Sequence, residues 1–338
     1  MGKIRCAVLG LGRLGYWHAE NLANRIPNAE LALVVDPIEG RAEQVARELG
    51  VPAHSTNPDD AFDRPDIEAV AIVTPTSTHA DMIIKAANAG KQIFVEKPIT
   101  QTLEEADRVI EAIRARGVFC QVGFMRRFDP AYHEAKKRIQ KGDIGQPIYF
   151  KGLSRDGNMP PASFIEHSGG IYLDVAIHDY DIGRFLMGAD IVSVRATGNV
   201  LMNPFLKDYG DVDQAMTTLK FSNGGAGDVE TMRIAPYGYD IRGEVVGTDG
   251  VIRIGSLREH NIQVLTFKGS TYDIIPDFPT KFREAYLLEM VHFIDSLQNG
   301  VRPSCTEEDG RSALQVAIAA TESFKTGQEV RIDQVRSL

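Results

Sequence analysis

The alternation of apolar and amphipathic segments over residues 1–123 constrains the fold more than any other feature of the chain. Five short runs are apolar at consecutive positions, which is typical of strands buried on both faces. Between them lie amphipathic stretches such as "EGRAEQVARELG" and "TLEEADRVIEAIRARG", whose apolar spacing predicts surface helices. Strands that alternate with helices indicate a doubly wound parallel sheet. The five strand candidates are "IRCAVLG", "LALVVD", "AVAIVTP", "QIFVEKP" and "VFCQVGF".

From about residue 146 the chain changes to strand-like runs with little helix between them. Turn signals such as "SNGG" and "TDG" join these runs, which predicts a large, mostly antiparallel open sheet. We expect an α/β chain of two domains, 1–123 and 124–338, the second of α+β type, and leave open that its closing helices pack back on the first. The strand candidates are "IVSVRATGNVLM", "DQAMTTLKFSNG", "GAGDVETMRI", "DIRGEVVGTDGVIRIG" and "NIQVLTFKG".

The charge and cysteine content favour a small-molecule partner in a reducing compartment. A net charge of −9 argues against general affinity for nucleic acid or anionic membrane, since both require a basic surface. The three cysteines are scattered and form no CxxC pair, which fits the cytoplasm better than a disulfide scaffold. No signal peptide and no apolar run of about 18 residues is evident, so we expect a soluble globular protein.

A glycine-rich turn follows the first predicted strand and opens a helix. In "VLGLGRLG", Gly10, Gly12 and Gly15 have GxGxxG spacing, and Asp36 ends the next strand. This context is typical of dinucleotide binding, because glycines allow close backbone approach and the helix N-terminus receives the pyrophosphate. Asp36 would accept ribose hydroxyls and repel a 2′-phosphate, and no arginine adjoins it, so NAD is preferred over NADP. The alternatives are a turn that merely packs and a solvated strand-end aspartate.

A lysine stands where another parallel strand ends, in "IFVEKP". Ligands of open α/β sheets bind at the carboxyl ends of the strands, so Lys97 is expected to face that crevice. Pro98 restricts Lys97 to extended conformations, and sequence does not say whether their peptide bond is cis. The alternative is an ordinary solvated lysine.

Residues 170–188, "GIYLDVAIHDYDIGRFLMG", predict a helix that is apolar around almost its whole circumference. Asp174, His178 and Asp181 fall at i, i+4 and i+7 on one stripe of it. An ionised carboxylate and an imidazole inside a core are costly unless they are paired or have a chemical task. A satisfied core pair is one alternative. A metal site is another, but no third ligand is evident and none is expected. Asp181 is expected to be structural.

Together, the motifs resemble the ordered signature of the Gfo/Idh/MocA oxidoreductase family across essentially the whole chain. The matching segments are "VLGLGRLG", "TPTSTHAD", "EKP" and "GGIYLDVAIHDYD". The resemblance implies an N-terminal Rossmann domain followed by an α/β domain with a large open sheet. Within the family, "GFMRRFDPAY", "SRDGN" and "APYGYDIRGEVVGTDG" are similar to inositol 2-dehydrogenases.

The resemblance also implies roles for individual residues. Three of these residues also have a purely structural alternative. Arg127 could pair with an acidic neighbour, Tyr237 could pack with its polar tip exposed, and His79 could simply start a helix. The implied catalytic set is Lys97, Asp174 and His178; the implied cofactor-binding set is Gly10, Gly12, Arg13, Leu14, Gly15, Asp36, Thr74, Pro75, His79, Glu96 and Lys97; and the implied substrate-binding set is Arg127, Asp156, Asn158 and Tyr237.

The implied reaction is NAD-dependent oxidation of a ring hydroxyl of a cyclic polyol, myo-inositol or scyllo-inositol, to the inosose, as in inositol catabolism. His178 would accept the hydroxyl proton and Lys97 would stabilise the alkoxide. Asp174 could support or orient His178, or bind substrate directly. The resemblance further implies a homotetramer. The alternatives are oxidation of another sugar, such as an aldose, and a non-catalytic NAD-binding redox sensor.

Overall fold

The structure is a computed structural model, and it describes residues 2–335. These residues form two compact units. The first takes in the chain up to Phe128 together with Ala285–Ser312, and the second takes in Asp129–Glu284 and the chain from Ala313 onward. The domain boundary between residues 123 and 124 stays a prediction.

The first unit is built on a six-stranded sheet in the order β3-β2-β1-β4-β5-β6, with every pair parallel. This confirms the predicted doubly wound parallel sheet. All five predicted strands are present, and the two-residue β3 is an addition that the sequence pattern did not indicate. The strands are β1 (Ile4–Leu9), β2 (Ala29–Val35), β3 (His54–Ser55), β4 (Ala69–Ile72), β5 (Gln92–Glu96) and β6 (Cys120–Gly123).

Helices connect these strands, and their ends carry recognisable signals. The fifth helix starts at a capping box, in which the Thr102 hydroxyl accepts from the Glu105 N–H and the Glu105 carboxylate accepts from the Thr102 N–H. It ends at Gly117, which has a positive φ. The helices are α1 (Arg13–Asn24), α2 (Arg41–Leu49), α3 (Asp59–Asp63), α4 (His79–Asn88) and α5 (Leu103–Arg116).

The order of the strands places a crevice at a defined point of this sheet. β1 lies between β2 and β4, so the chain builds outward from β1 in one direction and then resumes on its other side. At such a switch point the connections leave in opposite directions, and the carboxyl ends of the two central strands border an open crevice. The turn after β1 and the loop after β4 are therefore the segments that a ligand would meet.

The second unit contains a seven-stranded sheet in the order β12-β11-β7-β10-β9-β8-β15. Only the β7–β10 pair is parallel among its described strands, which confirms the mostly antiparallel sheet. The sequence pattern did not indicate β7, although it is a central strand. The elements are α6 (Pro130–Lys141), β7 (Pro147–Arg155), α7 (Ala162–Ser168), α8 (Ile177–Met187), β8 (Ile191–Asn199), β9 (Gln214–Phe221), β10 (Ala226–Met232), β11 (Asp240–Gly247) and β12 (Val251–Ile254).

The remaining elements complete the chain and include one correction. The segment "NIQVLTFKG" does not join the large sheet, because its strand pairs only with the next one as a separate exposed hairpin. The elements are β13 (Val264–Thr266), β14 (Gly269–Thr271), α9 (Phe278–Asn299), α10 (Glu307–Thr326) and β15 (Val330–Arg331). None of the helices described within residues 2–335 has the length and apolarity needed to cross a membrane.

The large sheet has one buried and one exposed face, and α8 packs on its buried face. Buried and exposed residues alternate along β9 as expected of such a sheet. α8 approaches β7 closely at two glycines: a Cβ on Gly152 would lie 2.8 Å from the Asp179 carboxylate, and one on Gly183 would lie 3.0 Å from the Phe150 ring. The Ser154 hydroxyl on β7 donates to Asp179 over 2.5 Å. These contacts fix the position of α8 along β7.

The helix predicted over residues 170–188 differs from a regular α-helix in its first part. Tyr172–Ala176 is π-helical and α8 begins only at Ile177. Asp174 lies in the π-helical turn and His178 in the first turn of α8, so the assumption of uniform α-helical spacing between them was wrong. π-helical turns carry one extra residue per turn and occur frequently at functional sites.

Candidate active site

The glycine turn after β1 has the geometry that a dinucleotide phosphate requires. Gly10 has a φ of +86°, and a Cβ on Gly15 would lie 1.8 Å from the Gly10 carbonyl oxygen. These two glycines are therefore required by the turn itself. Gly12, at the N-terminus of α1, has no atom within 4 Å of the position of a Cβ, so it leaves space for a ligand to approach the backbone. Arg13 and Leu14 lie in the first turn of α1.

Asp36 lies at the carboxyl end of β2 and is held beside the glycine turn. Its carboxylate accepts the Leu11 N–H over 2.7 Å and the Ile38 N–H over 2.9 Å. A carboxylate has about four acceptor positions, so capacity remains for ribose hydroxyls. The sequence analysis missed Arg41, whose guanidinium donates twice to the Leu11 carbonyl, over 3.0 and 2.8 Å. An arginine therefore does lie near the glycine turn, five residues beyond Asp36 and engaged with backbone.

The loop after β4 is tied to the lysine segment after β5 by a buried histidine. His79 begins α4, and its ring nitrogens lie 2.9 Å from the carbonyl oxygens of Thr74 and Pro98. Burial lowers the pKa of His79, while both carbonyl groups oppose the shift. The Thr74 and Thr78 hydroxyl oxygens lie 2.7 Å apart within the same loop, which also contains Pro75. His79 therefore starts a helix, as the alternative interpretation has it, and its ring also holds two loops together.

Lys97 follows β5 directly, at the carboxyl end of the strand, and it is half-buried. The Lys97–Pro98 peptide bond, which the sequence left undecided, is cis. The preceding residue, Glu96, places its carboxylate 2.8 Å from His18 Nε2, and both side chains are buried. Strand and loop together place Lys97 at the sheet edge where the glycine turn and the Thr74 loop also lie.

A second acidic group, Glu289, completes a buried three-residue cluster with His18 and Glu96 that the sequence analysis missed. Glu289 on α9 lies 3.9 Å from His18 Nε2, is fully buried, and has no hydrogen-bond partner at either carboxylate oxygen. Burial and the charge of Glu96 raise the pKa of Glu289 well above its ordinary value. Three such groups within 4.8 Å of one another could hold a cation or share a proton. Because Phe94 and Tyr286 line the cluster, we interpret it as a neutral Glu289 beside the His18–Glu96 pair.

Arg127 is engaged in a bidentate ion pair. Its two terminal nitrogens lie 3.1 and 3.0 Å from the two carboxylate oxygens of Asp309, and it also donates to the Ser304 carbonyl. The side chain is 6% exposed. This position favours the alternative in which Arg127 pairs with an acidic neighbour, and its proposed contact with substrate stays a prediction.

In the second unit, the predicted substrate residues lie at the carboxyl ends of the parallel strands β7 and β10. Asp156 follows β7, donates its N–H to the Met232 carbonyl at the end of β10, and accepts from the Ala235 N–H. Parallel strands end at the same edge of a sheet, so the segments that follow them lie side by side. Asn158 lies in the same loop and is exposed.

Tyr237 belongs to this edge and takes part in a polar network. Its hydroxyl donates to Asp240 over 2.7 Å and accepts from Arg155 over 2.6 Å. Burial and the hydrogen bond to Asp240 raise the pKa of Tyr237, while Arg155 opposes the shift. The residue is 37% exposed, so the ring is open to solvent while its orientation is fixed. This position is compatible with both interpretations of Tyr237 from the sequence, namely substrate binding and packing with an exposed polar tip.

Asp174 is joined to the same edge through an arginine that the sequence analysis missed. Arg233 directly follows β10 and donates to the Asp174 carboxylate over 2.8 Å. His178 lies half-buried in the first turn of α8, which the contacts with β7 hold in place. Asp181, expected to be structural, is 1% exposed. Within the second unit, the fold thus brings Asp156, Tyr237 and Asp174 to one region.

The first unit has a glycine turn that fits a dinucleotide and a strand-end lysine, and the second has an edge that carries Asp156, Asp174 and Tyr237. These features are typical of a two-part, dinucleotide-dependent oxidoreductase. Residues 4–124 match the family model described as "Oxidoreductase family, NAD-binding Rossmann fold", and residues 136–332 match "Oxidoreductase family, C-terminal alpha/beta domain". The chain belongs to the Gfo/Idh/MocA oxidoreductase family.

Individual relatives cover almost the whole chain. It is 58% identical to scyllo-inositol 2-dehydrogenase (NAD(+)) of Bacillus subtilis, over 99% of this chain and 98% of the relative. It is 37% identical to myo-inositol 2-dehydrogenase of Thermotoga maritima, over 98% of this chain and 99% of the relative. Among solved structures, scyllo-inositol dehydrogenase from Lactobacillus casei with bound NAD(H) and scyllo-inositol matches with a TM-score of 0.93 and 32% identity, covering 98% of this chain and all of that one.

Alanine at Gly12 should affect mainly NAD affinity, whereas alanine at Gly15 should affect mainly stability. Gly12→Ala should weaken NAD binding by about tenfold or more while leaving the thermal midpoint nearly unchanged, because its Cβ meets no protein atom. Gly15→Ala should lower the midpoint by roughly 5 °C or more, because its Cβ meets the Gly10 carbonyl. Fluorescence titration with NAD and calorimetry measure both; an unchanged dissociation constant in Gly12→Ala would contradict the assigned phosphate position.

The raised pKa of Glu289 predicts a pH dependence of stability. The folded chain retains a proton that the unfolded chain releases above the ordinary pKa of a glutamate, about 4.3. The associated stability is therefore full below that value and is lost as pH rises through the folded pKa. Glu289→Gln, a neutral isostere, should lose less stability than the wild type between about pH 5 and pH 9. Glu284→Gln, at an exposed position of α9, is the control.

Thermal midpoints measured across this pH range distinguish the two interpretations of the cluster. A Glu289→Gln variant with the wild-type pH dependence would mean that Glu289 is not the protonated group. A wild-type midpoint that falls on chelation and returns with Mn²⁺ or Zn²⁺ would mean that the cluster holds a cation.

Proposed function

We propose that this chain is an NAD-dependent dehydrogenase that oxidises one ring hydroxyl of scyllo-inositol to the ketone. The observation that carries the proposal is the 58% identity, over nearly the full length of both chains, to an enzyme named for that reaction. The motif residues Lys97, Asp174 and His178 support it, since a redox sensor would not need a proton acceptor. The direction of oxidation, as in inositol catabolism, is part of the proposal.

Oxidation removes a hydride from the ring carbon and a proton from its hydroxyl. NAD, when bound, accepts the hydride. His178 accepts the proton, because an imidazole has the intrinsic pKa suited to proton transfer near neutral pH. Lys97 donates a hydrogen bond to the hydroxyl oxygen and stabilises the negative charge that develops there. The carbonyl product, the reduced cofactor and one proton on the imidazole balance the reaction.

The residues of the first unit would hold NAD at the switch point of its sheet. The backbone around Gly12 would receive the pyrophosphate, and Asp36 would accept the adenosine ribose hydroxyls. The charge of Asp36 would oppose a 2′-phosphate, and Arg41 is occupied with the Leu11 carbonyl. Thr74 and Pro75 would border the nicotinamide half, at the loop that His79 holds beside Lys97.

Substrate hydroxyls would be bound by Asp156, Asn158, Tyr237 and Asp174. The carboxylates accept hydrogen bonds, and the amide and phenol groups both donate and accept, which suits a ring with a hydroxyl on every carbon. A rigid ring presents these hydroxyls already oriented and loses little conformational freedom on binding. Arg127 is the weakest of the predicted substrate residues, because Asp309 already occupies its guanidinium.

We also propose a homotetramer that operates in the cytoplasm. The β13–β14 hairpin is exposed on both strands, and Phe267 at its turn is 97% exposed, which favours burial against another copy. Cys6, Cys120 and Cys305 are buried, and their scattered positions fit a reducing compartment. Sedimentation velocity measures the oligomeric state directly.

A substrate and cofactor panel tests the proposed function. With NAD, scyllo-inositol should give the highest kcat/KM among scyllo-inositol, myo-inositol, glucose and sorbitol, and NADP should be the poorer cofactor. NADH absorbance measures each reaction. More efficient oxidation of sorbitol or a linear hydroxy acid than of any inositol would contradict the substrate class, and a preference for NADP would contradict the role of Asp36.

His178→Ala should lower kcat by about 10² to 10⁴, the usual range for loss of a general acid–base group. NAD affinity should remain within about twofold, because the cofactor residues lie in the first unit. His260→Ala, at an exposed position of the second unit, is the matched control and should behave as wild type. A folded His178→Ala variant with near-normal turnover would mean that another group accepts the proton.

A further inference from the structure

Arg233 is the largest fully buried side chain among the described residues, with 0% exposure. A guanidinium cannot lose its proton in a protein, so burying it is costly unless acceptors surround it. Its position immediately after β10 places it at the edge of the sheet where the segments after β7 and β10 meet. A buried arginine in this position requires an explanation beyond ordinary packing.

The guanidinium is divided between two carboxylates from different segments. Nε donates to Asp211 over 2.7 Å, and a terminal nitrogen donates to Asp174 over 2.8 Å. The remaining terminal nitrogen lies 3.3 Å from the Ser168 hydroxyl oxygen at the end of α7. Asp211 is itself anchored, because its other oxygen accepts the Ile171 N–H over 2.8 Å. Arg233 thus connects the strand end, the Asp211 loop, α7 and the π-helical turn.

The two carboxylates differ in their access to solvent. The Asp211 side chain is 3% exposed, whereas that of Asp174 is 16% exposed. Asp211 therefore serves as the internal counter-charge and anchor, and Asp174 is the member that can meet a ligand. With Arg233 in a charge-assisted hydrogen bond to one Asp174 oxygen, that carboxylate is fixed in orientation, and its negative charge is partly offset by a guanidinium that it shares with Asp211.

We propose that Arg233 is a positioning residue that commits Asp174 to bind a substrate hydroxyl instead of supporting positive charge on His178. This inference rests on the proposed function and decides between the two roles that the sequence left open for Asp174. A carboxylate paired with a buried cation exerts a much weaker field on a neighbouring imidazole than a free one. A carboxylate has about four acceptor positions, so one that is paired with an arginine can also accept a hydrogen bond from a substrate hydroxyl.

The two roles predict opposite effects when Arg233 is removed. If Asp174 binds substrate, Arg233→Met releases the carboxylate from its fixed orientation, and inositol binding weakens. If Asp174 supports the charge on His178, the same substitution leaves an unbalanced carboxylate near the helix, and proton transfer is maintained or accelerated. The first effect raises KM and the dissociation constant for inositol, and the second acts on kcat.

The experiment compares Arg233→Met, Arg233→Lys, Asp174→Asn and the double variant Arg233→Met with Asp174→Asn. Steady-state kinetics with the best substrate of the wild type gives kcat and KM, and calorimetric titration of inositol into the NADH complex gives binding without turnover. Arg184→Met is the matched control, because Arg184 on α8 forms an ion pair with Asp190 and its side chain is 14% exposed. NAD affinity and the thermal midpoint are measured for each preparation.

Arg233→Met should raise the inositol dissociation constant by about 10- to 100-fold, with NAD affinity unchanged. The double variant should bind inositol no more weakly than Arg233→Met does, because the two substitutions remove the same interaction. Arg233→Lys keeps the positive charge but lacks the planar set of guanidinium donors, so its inositol dissociation constant should lie between those of the wild type and Arg233→Met. It also replaces Arg233→Met in the test if that variant folds poorly. Arg184→Met should bind inositol as the wild type does.

Three outcomes would overturn the inference. These are unchanged inositol binding in folded Arg233→Met and Arg233→Lys, a rise in kcat in either, and additive losses in the double variant. Absence of turnover by the wild type on every polyol and sugar would instead overturn the proposed function, and this inference with it. Wild-type turnover combined with unaffected Arg233 variants would remove the inference alone.

Discussion

The parallel pairing of strands is the constraint on which the rest of the structure depends. In the first unit it makes the glycine turn, the Thr74 loop and Lys97 emerge at one edge, because β1, β4 and β5 all end there. In the second unit a single parallel pair, β7–β10, does the same for Asp156 and Arg233, within a described sheet that is otherwise antiparallel. An antiparallel pair would place the two following segments at opposite ends of the strands.

Buried charge is the second feature that the two units share. Arg233 with Asp174 and Asp211 is satisfied by direct ion pairs, whereas burial beside His18 and Glu96 raises the pKa of Glu289, which favours its neutral form. The difference follows from chemistry: a guanidinium cannot become neutral in a protein, but a carboxyl group can. Both arrangements have a cost in desolvation. Glu96 directly precedes Lys97, and Arg233 pairs with Asp174, and we propose a catalytic or substrate-binding role for Lys97 and Asp174. Clusters of this kind are expected where geometry serves a reaction more than stability.

Several residues of the family motifs are engaged with protein groups, and their predicted contacts with ligands stay predictions. His79 fixes two backbone segments, Arg127 pairs with Asp309, and Glu96 pairs with His18. Each was expected to contact cofactor or substrate, and each is buried against protein groups. Other predicted site residues are more open: Gly12 has no atom within 4 Å of the position of a Cβ, Lys97 is half-buried, and Tyr237 is 37% exposed. A motif residue can therefore matter for function by holding its neighbours in position.

The sequence by itself determined what depends on local patterns. Consecutive apolar runs identified the parallel strands, glycine spacing located the tight turn after β1, and the order of motifs identified the family, because these features involve residues close together in the chain. Only the tertiary structure decided which side chains pair with each other across distant parts of the chain. Arg233 and Asp174 are 59 residues apart, and Gln121 donates to the Glu289 carbonyl across 168 residues. It also decided that Asp174 lies in a π-helical turn and that β7 is a central strand. No local periodicity carries this information, since contacts between distant segments arise only when the whole sheet and its helices pack.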